Sequence, residues 1–195
     1  MADFELAFSR TMGNEGGYAN DPDDAGGETY RGISRRYNPD WDGWSVLDAW
    51  RGHPSFPEGL ASNHALNELT KSFYRRRIWQ QFLGDELPDQ AVAEELFDTA
   101  VNLGLTRAIS YLQQALNALN RNGELYPDLV VDGSFGRRTI AALEVYLRRD
   151  PSRHLLTAMN ALQGGHYLEY MRQSPTQEKY ARGWLDRVVL EKRPA

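Results

Sequence analysis

Apolar residues recur along most of this chain at the three- and four-residue steps of a helix. Phe4, Phe8 and Met12 form the first such row. With Asp3 as N-cap, the pattern predicts a helix over 3–15. Glu15 falls beside the apolar stripe in the last turn, and Gly16-Gly17 ends the helix. Residues 18–38 lose the period. Asn20-Asp21-Pro22, Gly26-Gly27 and Gly32 are turn chemistry. Extended pieces near Glu28 to Ile33 predict a small β-hairpin. Residues 39–60, with Trp41, Trp44, Trp50, Pro54 and Pro57, read as loops with one short helix near 45–50.

From about Ser62 the helical period returns. Leu66, Leu69 and Phe73 form one row, with Tyr74, Ile78 and Phe82 alongside, and Gly84 to Pro88 breaks it. Further helices are expected over 89–103, 106–121, 136–148, 154–173 and 178–190, with a loop over 122–135. The fold class is therefore mainly α (α+β), with one β element placed early.

Composition narrows the chemistry. The chain has 195 residues and a net charge of −5, which argues against nucleic acid as a partner. Arg75-Arg76-Arg77 and Arg137-Arg138 read as solvated helix faces. There are no cysteines, so thiol nucleophiles, disulfides and Cys-type zinc sites are out. His53, His64, His154 and His166 show no metal-ligand spacing, so no metal and no cofactor are expected. No apolar run of about 18 residues predicts a membrane span. The N-terminus lacks a basic region followed by an apolar run, so no signal peptide is read. The expectation is synthesis in the cytoplasm.

Glu15 and Asp24 are the first candidates for catalysis. Glycosidic cleavage needs an acid to protonate the leaving oxygen and usually a second carboxylate across the sugar ring. A Glu at a helix C-terminus on an apolar face would have its pKa raised by desolvation and by the helix dipole. Thr29 could help Asp24 hold a water. The alternative is a frayed helix end followed by an ordinary turn. Asp21 and Asp23 are read as turn residues.

The segment Glu15-Gly16-Gly17-Tyr18, Asn20-Asp21-Pro22, Asp24, Gly26-Gly27, Thr29 and Gly32-Ile33 resembles the catalytic segment of glycoside hydrolase family 108. That resemblance implies a lysozyme-like fold and N-acetylmuramidase activity, of the phage endolysin or secretion activator type. It implies that Glu15 is the catalytic acid. The Glu, Asp, Thr order is also similar to phage-type lysozymes, which usually have one more residue between Asp and Thr. Tyr18, Asn20 and Tyr30 are candidates for substrate contact.

A second pattern, Leu112-Gln113 followed by Asp132-Gly133-Ser134-Phe135-Gly136-Arg137-Arg138-Thr139, resembles helical peptidoglycan-binding domains. For Asp132 itself, a structural part in a capped turn is the preferred reading. Phe97-Asp98-Thr99-Ala100-Val101-Asn102 is also family-like. Asp98 and Asn102 share a helix face and either line the groove or hydrogen-bond a loop. Trp79 and Trp184 are read as core.

These readings set the expectations. Residues 1–90 form a lysozyme-like catalytic domain with a small β-hairpin lobe. Residues 91–195 form a helical peptidoglycan-binding region, packed with the first into one globule. The partner is the glycan strand of peptidoglycan, cut at the β-1,4 bond after N-acetylmuramic acid. A monomer is expected, acting on the wall after release, with a holin-type route as one hypothesis. A non-catalytic wall-binding or secretion-helper protein and a lytic transglycosylase remain as alternatives.

Overall fold

The computed structural model describes residues 1–13, 17–20 and 27–188. Glu15 and Asp24 lie outside the described residues. The chain divides into two compact units, Asp3–Asp85 and Glu86–Ala195, the latter joined by Met1–Ala2.

The first unit begins with α1 (Phe4–Gly13). Asp3 caps it as expected, its Oδ1 accepting from the backbone N–H of Glu5 at 2.7 Å and of Leu6 at 3.3 Å. Phe4, Ala7, Phe8 and Thr11 form its buried face. Phe4 meets Phe8 and the fully buried Trp79 at ring distances of 5.5 and 5.6 Å. Trp79 is thus core, and its indole N–H donates to Asp85 at 2.9 Å.

The β element has three strands: β1 (Tyr18–Asn20), β2 (Glu28–Tyr30) and β3 (Ile33–Ser34), antiparallel in that order. Tyr18 pairs with Tyr30 and Asn20 with Glu28. Tyr30 pairs with Ile33 across the turn Arg31-Gly32. Both turn residues have positive φ, 45° and 79°, the combination that matches strand twist in a two-residue hairpin.

The short helix α2 (Gly43–Trp50) and α3 (His64–Arg77) follow. Asn63 caps α3 through Leu66 N–H at 3.0 Å. Leu66, Thr70 and Tyr74 are its buried face. Arg75, Arg76 and Arg77 are solvent-exposed, as expected.

The second unit holds α4 (Gln90–Leu103), α5 (Leu105–Leu119), α6 (Arg137–Leu147), α7 (Ser152–Gln173) and α8 (Ala181–Leu185). Leu96 and Phe97 of α4, Leu112 and Leu116 of α5, Leu143 of α6 and Met159 of α7 are buried in its core. One expected element differs. In place of a continuous helix from 178, a 3-10 helix spans Pro175–Tyr180 and passes into the short α8. Pro175 sits at the start of that tight segment, and Gly183 weakens α-helix propensity in the second part. No described helix is long and apolar enough to cross a membrane.

Candidate active site

A cleft of about 370 Å³ opens beside the β element. Its walls include Met12 from the end of α1, Gly17 and Tyr18 at the start of β1, and Tyr30 and Arg31 at the end of β2. Pro57, Glu58, Leu60 and Ala61 close the other side. Met12 and Gly17 are described residues on either side of Glu15 in the sequence.

The two tyrosines are held differently. Tyr30 is 1% exposed, stacks on Trp41 at 6.3 Å and donates its hydroxyl to the Leu60 carbonyl at 3.3 Å. Burial pushes its pKa up. Tyr18 is half-buried, with its ring edge-on to Phe56 at 5.0 Å. Its hydroxyl donates to Glu28 Oε1 at 3.1 Å and accepts from Arg51 at 3.3 Å.

Glu28 is the centre of a charged network. Its side chain is only 12% exposed, and both Arg35, at 2.9 Å, and Arg51 hold its carboxylate. Asp48 accepts from the same two guanidiniums, at 2.6 Å from Arg35 and 3.0 Å from Arg51. The Arg35 hydrogen bond is the main reason that the Asp48 pKa falls to about 2. Two carboxylates and two guanidiniums balance, so the network ties β2 to α2 without adding net charge. Charge-assisted bonds of this kind give positional stiffness.

Arg31 adds a strained backbone at the cleft wall. Its φ of 45° is unusual for a non-glycine residue. The Gly17 carbonyl accepts its N–H at 3.0 Å, and its own carbonyl accepts the Tyr74 hydroxyl at 2.6 Å. Strain clamped from both sides is a marker of functional loops.

Of the residues singled out in the sequence, Tyr18 and Tyr30 line this cleft. Thr29 is half-buried in β2, and its hydroxyl donates to the Gly27 carbonyl at 3.2 Å. Asn20 is exposed at the end of β1. Asp98 and Asn102 belong to the other unit, on α4. The Asn102 amide donates to the Asp98 carbonyl at 3.2 Å, and Arg187 pairs with the Asp98 carboxylate at 3.0 Å. Sequence reasoning missed Arg31, Glu28, Arg51 and Glu58. The signal for Arg31 was available, since Tyr30-Arg31-Gly32-Ile33 has the two-residue spacing of a tight hairpin.

In the second unit, Gln113 is 2% exposed and clamps the Asp132-Gly133 turn. Its Oε1 accepts from the N–H groups of Asp132 and Gly133 at 3.1 and 3.0 Å. Its Nε2 donates to Asp132 Oδ1 at 2.9 Å and to the Ser134 carbonyl at 3.1 Å. Asp132 is thus part of the turn's own scaffold. Trp184, read as core, instead stands half-exposed in an aromatic group with Tyr167, Tyr170 and Tyr180.

A mainly helical chain with a small hairpin lobe beside a cleft is the architecture of a lysozyme-like hydrolase, and sequence comparison defines it further. Residues 8–104 match the family described as glycosyl hydrolase 108, and residues 107–189 match a predicted peptidoglycan domain. The chain belongs to the glycosyl hydrolase 108 family, a peptidoglycan hydrolase family. The first match takes in Glu15, Asp24 and Thr29, and it runs on through α4. Among solved structures, the chain is similar to SagA of Brucella abortus, at a TM-score of 0.59 and 24% identity. That likeness covers 95% of this chain and 88% of the other, and it is one of fold. Comparison with curated proteins gives no match.

Proposed function

We propose that this chain is an N-acetylmuramidase that hydrolyses the β-1,4 bond between N-acetylmuramic acid and N-acetylglucosamine. The observation that carries the reading is the position of Met12 and Gly17. They bracket Glu15 in the sequence, and both line the cleft that Tyr18 and Tyr30 also line. Glu15 gives its proton to the leaving glycosidic oxygen. Water delivers hydroxide to the anomeric carbon, and Asp24, aided by Thr29, positions that water and takes its proton. Tyr18 and Asn20 contact the sugar; Tyr30, a candidate contact by sequence, is 1% exposed with its hydroxyl on the Leu60 carbonyl, and it backs the cleft from beneath. The second domain holds the enzyme on the wall, where it acts after a holin-type release.

The test is Glu15→Gln. The expected result is loss of muralytic activity by about 10²-fold or more, with sacculus binding retained. Clearing of purified sacculi at the parent rate would overturn the assignment. Mass spectrometry of the released muropeptides checks the reaction itself. Reducing ends are expected, and 1,6-anhydro ends would make the enzyme a lytic transglycosylase. Accumulation in the periplasm without a partner would overturn the release route.

A further inference from the structure

A second cavity, of about 360 Å³, opens in the same unit as the candidate cleft. Its apolar wall includes Trp41, 7% exposed, with Tyr37, 68% exposed, also lining it. Asp40 and Asp42 line it from the segment leading into α2, and Arg76 and Arg77 from the last turn of α3. None of these four charges holds an ion pair among the described residues. Arg76 gives only its Nε, to the Ser72 carbonyl at 3.3 Å. Elsewhere in this unit Arg35, Arg51, Lys71 and Arg75 all pair with carboxylates.

Two charges of each sign around one apolar wall select a ligand that also carries both. A simple anion gains from the arginines and is repelled by the aspartates, and a simple cation meets the reverse. A zwitterion satisfies both, with its carboxylate on the guanidiniums and its ammonium on the carboxylates. The aromatic wall suits a methylene chain leading up to that charged end.

We propose that this cavity binds the free zwitterionic end of the diamino acid in a peptidoglycan stem peptide. The proposal rests on peptidoglycan being the substrate. Trp41 in this cavity stacks on Tyr30 in the candidate cleft, with ring centroids 6.3 Å apart.

The experiment titrates the full chain with three probes: a stem tripeptide ending in diaminopimelate, the same peptide acetylated on its free amine, and free diaminopimelate. Backbone amide NMR shifts report the site, and calorimetry reports the affinity. The tripeptide is expected to shift residues 37–42 and 73–77. The double variant Asp40→Asn, Arg77→Gln, altered only at exposed positions, is expected to weaken it by about tenfold or more. Absence of those shifts, equal affinity for the acetylated peptide, or an unchanged double variant would overturn the proposal. Tighter binding of free diaminopimelate would assign the cavity to a free amino acid instead. Cleavage of stem-free glycan, measured in parallel, separates the two readings. Cleavage without stem binding sinks this inference alone, and stem binding without cleavage sinks the muramidase reading alone.

Discussion

The Tyr74 hydroxyl donates to the Arg31 carbonyl at 2.6 Å, forty-three residues away in sequence. A core residue of α3 thereby locks a left-handed residue that forms part of the cleft wall. Tyr74→Phe removes the lock and keeps the ring. The expected cost is about 1 kcal/mol of stability, with a several-fold fall in hydrolysis. Denaturant melts and turnover on purified sacculi measure the two. Full activity in a destabilised Tyr74→Phe protein would separate the lock from function.

Arg31 itself gives a sharper contrast. Arg31→Gly relieves a backbone cost of about 1–2 kcal/mol but loosens the unfolded chain by a comparable amount. Its melting temperature should stay near that of the parent while hydrolysis falls, because the guanidinium at the cleft is gone. Arg31→Val keeps the strain and adds β-branching, so it should melt clearly lower. Equal melting of the Val and Gly variants would contradict the strain argument.

Glu28→Gln leaves Arg35 and Arg51 facing a neutral amide. The pair is partly solvated on the arginine side, so the stability cost should be about 1–3 kcal/mol, below that of a fully buried pair. The Tyr18 hydroxyl loses its charged acceptor. The expected readout is a rise in KM larger than the fall in kcat, because Tyr18 is a candidate sugar contact. An unchanged KM would show that the network only stiffens the lobe.

Gln113→Leu should destabilise the second unit by about 1–2 kcal/mol, since it removes the buried amide that holds the Asp132-Gly133 turn. Gly133→Ala should also be costly. Its φ is 69°, and an added Cβ would lie 2.7 Å from the Thr106 carbonyl oxygen. Stability near the parent's in either variant, measured by thermal melting, would refute the clamp.

Glu95 supplies a pH test. Burial raises its pKa to about 7 from an ordinary 4.5, opposed by hydrogen bonds from Asn160 and Thr99, with Asp98 adding repulsion. The unfolded chain ionises this group near 4.5, whereas the folded chain keeps it neutral to about 7. Its stabilising share is thus full below 4.5, is lost as pH rises towards 7, and stays lost above. Glu95→Gln should match the parent at pH 4.5 and exceed it at pH 8 by about 3 kcal/mol. A constant difference across that range would rule out Glu95 as the titrating group.

The helical framework was legible because its signals are local. Phe4 and Phe8, or Leu112 and Leu116, repeat at a period that any window of the chain reveals. The capping residues Asp3 and Asn63 act within three positions. The site was less legible because its partners meet across distance. Glu28 joins Tyr18 and Arg51, ten and twenty-three residues away. Nothing in the spacing of these polar residues announces that they converge. The same holds for Gln113, which looks like an ordinary polar position on α5 until the Asp132 turn closes on it. The last helix is shorter than its period predicts because the 3-10 segment from Pro175 runs on to Tyr180, and the apolar period does not reveal it.

The paired ends of the hairpin, Asn20 and Glu28, bear on the unusual Asp24-to-Thr29 spacing. With those ends fastened by β1 and β2, adding a residue to the interval 21–27 changes closure entropy only as a logarithm, by about 0.1 kcal/mol. The pairing of Asn20 with Glu28 therefore tolerates either spacing at nearly the same closure cost, and the register of β1 on β2 carries no record of which one the sequence holds.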